Sequence, residues 1–133
     1  MANSKVLNGK KILLVEDDNF LSNMIAQKLA DSGSIFLHAA SGEEAVATLQ
    51  RETPDVVLLD LLLPGSTDGF AVLEKMRANH NVKNIPVIVL SNLSRPQDIE
   101  RAMTLGASRY LVKASVVPDE IVSFLESALS AKK

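Results

Sequence analysis

Several polar side chains directly follow apolar runs in this chain, and their types suit the chemistry of phosphate and metal ions. They are the acids Glu16, Asp17 and Asp60, the hydroxyl of Ser91 and the ammonium of Lys113. Converging carboxylates repel one another, so they need protons or a cation nearby. Oxygen ligands suit Mg²⁺, which commonly takes one or two carboxylates together with phosphate. The pattern predicts a Mg²⁺-assisted phosphate site in which Lys113 holds an anionic oxygen.

Each of these residues also has an ordinary structural interpretation. A single aspartate such as Asp60 commonly ends a strand and caps a turn, and Asp17 or Asp18 could cap a helix. A serine after a strand is usually a turn residue, and a lysine there is usually a solvated charge. The ordinary interpretation would be preferred for any one residue alone. The functional one is favoured because all of them fall, in order, on one predicted edge of a sheet.

Short apolar runs must position these side chains. The runs span residues 11–15, 34–38, 55–59, 85–90 and 109–112. They do not alternate apolar and polar residues, which indicates strands covered on both faces. Helical segments lie between them, so the pattern predicts an α/β fold with a doubly wound, parallel, five-stranded sheet. In the strand order 2-1-3-4-5, the first and third strands are neighbours, which brings Glu16 and Asp17 close to Asp60.

Local signals predict where the helices begin and end. Ser41 and Ser94 each precede a Glu or Gln by three positions, which is the form of a capping box. Pro118 is expected to begin the last helix, whereas Gly33 and Gly106 stand where helices should end. The first helix is expected to present an apolar stripe formed by Phe20, Leu21, Met24, Ile25 and Leu29.

Composition limits the class of protein. The chain has 133 residues, of which 47% are hydrophobic and 23% charged, so we expect one globular domain over 1–133 with a core of about 10–130. The first eight or so residues and the last three, 131–133, are expected to be loose ends. No cysteine and two histidines exclude thiol chemistry and a multi-histidine zinc site. The net charge of -2 argues against direct nucleic-acid binding. With no membrane span or signal peptide in the sequence, we expect a cytoplasmic protein.

Four segments of the chain, taken together, resemble the receiver domain of two-component response regulators. They read Leu-Leu-Val-Glu-Asp-Asp at 13–18, Asp-Val-Val-Leu-Leu-Asp at 55–60, Val-Ile-Val-Leu-Ser at 87–91 and Gly-Ala-Ser-Arg-Tyr-Leu-Val-Lys at 106–113. Pro64-Gly65 and Asp68-Gly69 follow the second segment. The resemblance covers essentially residues 10–130 and implies the flavodoxin-like (βα)₅ fold.

The resemblance also implies a role for each matching residue. Asp60 matches the phosphoacceptor, Asp17 the direct Mg²⁺ ligand, Glu16 the acid that reaches the metal through water, and Leu62 the residue whose carbonyl binds the metal. Ser91 and Lys113 match the hydroxyl and the cation that contact phosphoryl oxygens, and Tyr110 matches the aromatic switch residue. An aspartate is a competent nucleophile toward phosphorus, and positioning with charge neutralisation provides most of the catalysis.

The implied function is signalling rather than enzymatic turnover of a substrate. A sensor histidine kinase or a phosphotransfer protein would donate the phosphoryl group, and the domain would assist its own phosphorylation and dephosphorylation. The signal would leave through the face formed by the fourth helix, fifth strand and fifth helix, toward a downstream protein that the sequence does not name. The expected state is a monomer or a phosphorylation-dependent dimer.

Three positions depart from the usual pattern of that family. The loop after Asp60 is one residue longer before the Asp-Gly pair, and Asn92 stands where the family mostly has alanine or another small residue. Ala114 replaces the proline that usually follows the lysine. Because a cis bond before a non-proline residue costs about 3–4 kcal/mol, we expect a trans bond between Lys113 and Ala114.

Three other classes of protein are alternatives. A phosphatase of the haloacid dehalogenase type needs a second aspartate two residues after the nucleophile, where this chain has Leu62. A flavodoxin-type electron carrier needs a phosphate-binding loop after the first strand, where Glu16, Asp17 and Asp18 would repel phosphate. A receiver-like module that binds partners without phosphorylation is the alternative that stays open.

Overall fold

The fold is a parallel five-stranded sheet with helices on both faces. The computed structural model describes residues 6–130. The strands are β1 (Lys11–Val15), β2 (Ile35–Ala39), β3 (Val56–Leu59), β4 (Val87–Ser91) and β5 (Arg109–Val112). The helices are α1 (Asn19–Leu29), α2 (Gly42–Arg51), α3 (Gly69–Ala78), α4 (Pro96–Thr104) and α5 (Pro118–Ser130). The spatial order is β2-β1-β3-β4-β5, and every pair is parallel, so the predicted flavodoxin-like fold is confirmed.

The sheet is buried on both sides, which explains why its strands read as continuous apolar runs. In β3, Val57 and Leu59 join a core with α2 and α3, whereas Val56 and Leu58 join a second core with α1 and α5. Successive residues of a strand point to opposite faces of the sheet, so the residues on both faces must be apolar here. Among residues 6–130, no helix combines the length and the apolar composition needed to cross a membrane.

One of the two predicted capping boxes is confirmed. Ser41 Oγ accepts a hydrogen bond from the Glu44 amide at 3.1 Å, and Glu44 Oε1 accepts one from the Ala40 amide at 2.9 Å. The prediction for Ser94 is wrong, because Arg95 is the N-cap of α4 and makes no side-chain cap bond. The proline that follows holds Arg95 in extended backbone, so the helix cannot begin earlier.

The apolar stripe and the end of α1 differ in part from the sequence prediction. Ile25 and Leu29 of the predicted apolar stripe are buried, and Leu21 packs against the same core, but Phe20 is 76% exposed and Ser22 is buried although it was not in the stripe. Gly33 lies four residues beyond the end of α1 rather than at it, and its φ of +79° makes the turn into β2. Gly106 follows α4 closely with a φ of +104°, as expected of a glycine that ends a helix.

The buried core begins earlier in the chain than the sequence predicted. Leu7 is fully buried in the core shared with α1 and α5, and the Gly9 amide donates to the Gly33 carbonyl at 2.8 Å. The prediction that the first eight or so residues are loose is therefore wrong for residues 6–8, the part of that segment that the structure describes. Residues 1–5 and 131–133, also expected to be loose, lie outside the described residues.

Candidate functional site

The candidate site lies where β1 and β3 end side by side. Val15 pairs with Leu59 in the sheet, and the Asp60 amide donates to the Val15 carbonyl at 3.0 Å. Glu16 and Asp60 therefore leave neighbouring strands at the same level. Glu16, Asp17 and Asp60 each offer a carboxylate oxygen, and these oxygens all lie within 4.8 Å of one another. The fold thus brings together the three acids that the sequence placed on one edge.

Lys113 joins these acids from the end of β5. Its Nζ lies 2.8 Å from Asp60 Oδ2 and 2.8 Å from Glu16 Oε1. Both carboxylates are nearly inaccessible to solvent, with Glu16 1% and Asp60 4% exposed. Lys113 begins a single 3₁₀ turn that ends at Ser115, and its peptide bond to Ala114 is trans as expected.

Burial and charge oppose each other in this cluster. Desolvation is the largest influence on Glu16 and raises its pKa, although the adjacent Lys113 ammonium and the hydrogen bond from the Asp18 amide favour the charged form. Desolvation also disfavours a charged Lys113, but the hydrogen bond to Asp60 and the close negative charges of Asp60 and Glu16 outweigh it and raise the pKa of the ammonium. One lysine thus partly neutralises two buried acids. A hard cation that prefers oxygen ligands could neutralise the negative charge that remains.

One carboxylate oxygen in the cluster has no directed hydrogen bond. Glu16 Oε1 is buried and lies close to Lys113 Nζ, yet the contact falls outside hydrogen-bond geometry. Its other oxygen, Oε2, accepts from the Asp18 amide at 3.0 Å. A buried oxygen without a hydrogen bond, beside two other acids, fits the donor set of a hard divalent cation.

The three acids after β1 have different surroundings. Asp18 caps α1, since its Oδ1 accepts from the amides of Phe20 at 2.9 Å and Leu21 at 3.3 Å. Asp17 is exposed and belongs to the carboxylate cluster, whereas Asp18 does not. The capping role that the sequence left open between Asp17 and Asp18 therefore belongs to Asp18.

Leu62 lies in the loop directly after Asp60. Its amide donates to Asp60 Oδ1 at 3.1 Å, while its side chain is 54% exposed. The two oxygens of Asp60 therefore have different partners, a backbone amide at Oδ1 and the Lys113 ammonium at Oδ2. The loop is connected to the carboxylate through its backbone rather than through a polar side chain.

Ser91 and Tyr110 are linked through the backbone of one residue. Ser91 is fully buried at the end of β4, and its Oγ accepts from the Leu93 amide at 3.3 Å. The Tyr110 hydroxyl donates to the Leu93 carbonyl at 2.6 Å. The sequence indicated Ser91 and Tyr110 separately. Their link through Leu93 could not be predicted, because it uses backbone groups that every non-proline residue has.

Comparison with known proteins agrees with this geometry. The family model for the response regulator receiver domain matches residues 12–126. A probable transcriptional regulator, ycf27 of Porphyridium aerugineum, is 34% identical over 120 residues, which cover 90% of this chain and 48% of that protein. The chain thus spans about half the length of that curated relative.

Solved structures give the same result. The signal receiver domain of a signal transduction histidine kinase from Syntrophus aciditrophicus superposes with a TM-score of 0.83 at 30% identity, covering 94% of this chain and 93% of that one. The receiver domain of sensor histidine kinase PA1611 from Pseudomonas aeruginosa PAO1, with magnesium coordinated in its active site cleft, has a TM-score of 0.82 at 29% identity, covering 92% and 99%. Together with the family match, these likenesses show that the chain belongs to the response regulator receiver domain family, a signalling domain of two-component systems.

Proposed function

We propose that Asp60 accepts a phosphoryl group in a Mg²⁺-dependent reaction, with a sensor histidine kinase or a phosphotransfer protein as the donor. The observation that carries the proposal is the position of Asp60. It is a nearly buried carboxylate that contacts the Lys113 ammonium at 2.8 Å and lies beside two further acids. A structural ion pair would not need Glu16 and Asp17 at the same point, since extra acids raise the electrostatic cost.

Mg²⁺ is the cofactor that the donor set fits best. Asp17 and Asp60 would bind it directly, Glu16 through water, and Leu62 through its backbone carbonyl. When bound, the ion supplies charge neutralisation for the phosphoryl oxygens. The magnesium in the related PA1611 receiver domain supports this choice. The exposure of Asp17 leaves one side of the cluster open to solvent, which suits an ion that keeps several waters.

The proposed transfer is a displacement at phosphorus. An oxygen of Asp60 attacks, a new P–O bond forms, and the bond between phosphorus and the donor breaks. With acetyl phosphate as donor, acetate leaves with the electron pair and no proton moves. Lys113 and the hydroxyl of Ser91 then hold two of the phosphoryl oxygens, so the chain's own contribution is mainly orientation and charge.

Phosphorylation is proposed to change the face formed by α4, β5 and α5. The Ser91 hydroxyl moves toward the phosphoryl group, and Tyr110 turns into the space that Ser91 leaves. Leu93 contacts both residues through its backbone, so its loop would shift with them. Such a switch requires two packings of similar energy, one of which binds the phosphoryl group better. The changed face would bind a downstream protein.

The donor is expected to dock against the edge of the sheet that carries Asp60. Three apolar side chains after β1, β3 and β5 are exposed there, namely Phe20 at 76%, Leu62 at 54% and Val117 at 56%. Exposed apolar side chains around a polar site favour a protein partner over a small free substrate. With a net charge of -2, the domain would bind no nucleic acid directly, and residues 1–133 would act as one receiver unit, monomeric or dimerising on phosphorylation.

Labelling with acetyl phosphate tests the proposal directly. Intact mass should rise by one phosphoryl group when Mg²⁺ is present and stay unchanged when the ion is chelated. Asp60→Asn should abolish the rise, while the exposed Asp119→Asn should leave it intact. No labelling of the wild-type protein would favour the remaining alternative, a receiver-like interaction module that works without phosphorylation.

A further inference from the structure

The loop that follows Asp60 is closed at its base by a glycine. The Gly69 amide donates to the Leu61 carbonyl at 3.0 Å, where the loop enters α3. A Cβ atom at Gly69 would collide with the Asp60 carbonyl and with the Leu61 backbone. The base of this loop is therefore held by direct backbone packing.

The tip of the loop is held by a side chain from another element. Glu43 lies in the first turn of α2, and its Oε2 accepts from the Ser66 amide at 3.0 Å, the Ser66 hydroxyl at 2.9 Å and the Thr67 amide at 3.2 Å. One carboxylate oxygen thus gathers three donors from two adjacent loop residues. The pKa of Glu43 is lowered, first by its own backbone amide and then by the bonds from Ser66, so it is charged at neutral pH.

Two glycines allow the loop tip and α2 to approach this closely. A Cβ at Gly42 would collide with the Thr67 carbonyl, so the start of α2 packs directly on the loop backbone. Gly65 has a φ of +85°, and a Cβ there would lie 3.0 Å from Glu43 Oε1. Both elements are therefore shaped for the contact, which distinguishes it from a chance surface hydrogen bond.

The held segment contains the residue whose carbonyl is proposed to bind Mg²⁺. The Leu62 amide is bound to Asp60 Oδ1, and the loop is next fixed at Ser66 and Thr67 by Glu43. We propose that Glu43 is a positioning residue. It would orient the loop between Asp60 and α3 and, through that loop, direct the Leu62 carbonyl toward the bound Mg²⁺. The inference rests on the proposed function, because it assigns Glu43 a part in that site without any contact with the reacting atoms.

The test compares variants at two adjacent glutamates of α2. Glu43→Ala removes the acceptor of all three hydrogen bonds, and Glu43→Gln keeps a neutral acceptor oxygen. Glu44→Gln is the matched control, because it removes the same charge from the same helical turn, and the hydrogen bond that the Glu44 side chain makes among residues 6–130 is to the Ala40 amide rather than to the loop. Mg²⁺ affinity is measured by amide NMR titration, and acetyl phosphate labelling is measured at low and at saturating Mg²⁺.

Glu43→Ala should weaken Mg²⁺ binding by about tenfold, the lower end of the range for groups that orient metal ligands. Its labelling rate should fall at low Mg²⁺ and recover at saturating Mg²⁺, because the reacting groups are untouched. Glu43→Gln should lie between Glu43→Ala and the wild type, and Glu44→Gln should bind Mg²⁺ nearly as the wild type does. A general loss of stability would instead lower the melting temperature without this dependence on Mg²⁺ concentration.

Equal Mg²⁺ affinity in Glu43→Ala and Glu44→Gln would overturn the inference. That result can be told apart from failure of the proposed function, which is judged by labelling of the wild-type protein at Asp60. The affinity measurement needs no phosphoryl donor, so it tests Glu43 whether or not Asp60 is labelled.

Discussion

Lys113 Nζ lies 2.8 Å from Asp60 Oδ2, so a positive charge is already in contact with the carboxylate proposed to accept the phosphoryl group. The same ammonium is 2.8 Å from Glu16 Oε1. We therefore expect Lys113 to have two opposing effects. Its charge offsets those of the buried acids, and for that reason it should compete with any cation that the acids could bind.

Lys113→Ala should separate these two effects. Without Mg²⁺, the variant should lose about 3–5 kcal/mol in the free energy of unfolding, because two buried carboxylates lose their counter-charge. Its Mg²⁺ affinity should rise, because the competing positive charge is gone. Urea unfolding and Mg²⁺ titration measure the two effects. Lys28→Ala is the control, since its exposed pair with Asp119 should contribute at most about 1 kcal/mol. Weaker Mg²⁺ binding by Lys113→Ala would contradict the competition.

Asp17 and Asp18 should respond oppositely to substitution. Asp17→Ala should weaken Mg²⁺ binding with little loss of stability, because Asp17 is exposed and belongs to the carboxylate cluster. Asp18→Ala should cost about 1 kcal/mol of stability through loss of the α1 cap, with a smaller effect on Mg²⁺. Thermal unfolding and Mg²⁺ titration of both variants provide the comparison. Equal losses of Mg²⁺ affinity in the two variants would mean that the assignment of Asp17 as the direct Mg²⁺ ligand is wrong.

The sheet and the convergence of the acids could be predicted because they depend on local pattern and chain topology. The bounds of β1 and β5 match the apolar runs, and parallel strands must end at a common edge. The fourth run was placed at 85–90, whereas β4 spans Val87–Ser91. Pro86 has no amide to donate to the ladder, which explains the later start of the strand.

The contacts that could not be predicted join side chains to distant backbone. Nothing in the sequence around Glu43 indicates that its carboxylate binds a loop more than twenty residues away. Phe20 is likewise exposed although its helical spacing places it in the apolar stripe of α1. Periodicity reports which face of an element is apolar, but not where its neighbours end.

Leu7 should be essential to stability although it lies outside the predicted core. Its side chain is fully buried among residues of α1 and α5. Leu7→Ala should lower the free energy of unfolding by about 2–5 kcal/mol, the usual cost of a cavity of this size. Urea unfolding measures the loss, and the exposed Leu62→Ala is the control, with a change within about 0.5 kcal/mol. A loss below that of the control would mean that the N-terminal segment packs only weakly.

Tyr110 is the only tyrosine and the chain has no tryptophan, so its ionisation can be followed by ultraviolet absorbance alone. Burial is the main cause of a pKa raised above the ordinary value of 10.0, and the charges of Asp98 and Asp60 add to it. The hydroxyl also donates to the Leu93 carbonyl, a bond that ionisation would break. The absorbance titration of the folded protein should therefore have its midpoint above 10.0, and above the midpoint measured in urea.

The same shift has a definite sign for stability. Because the folded pKa is raised, the contribution of the neutral Tyr110 is fully present below pH 10.0 and is lost as the pH rises through the folded pKa. Tyr110→Phe should lack this alkaline loss, and at neutral pH it should cost about 1 kcal/mol for the bond to Leu93. Asp98→Asn should lower the titration midpoint of Tyr110, since one of the two charges that raise it is removed. Equal midpoints in the folded and urea-unfolded wild type would mean that the Tyr110 hydroxyl is solvated and does not hold the Leu93 loop. The physical link between Ser91 and Tyr110 that the proposed switch requires would then be absent.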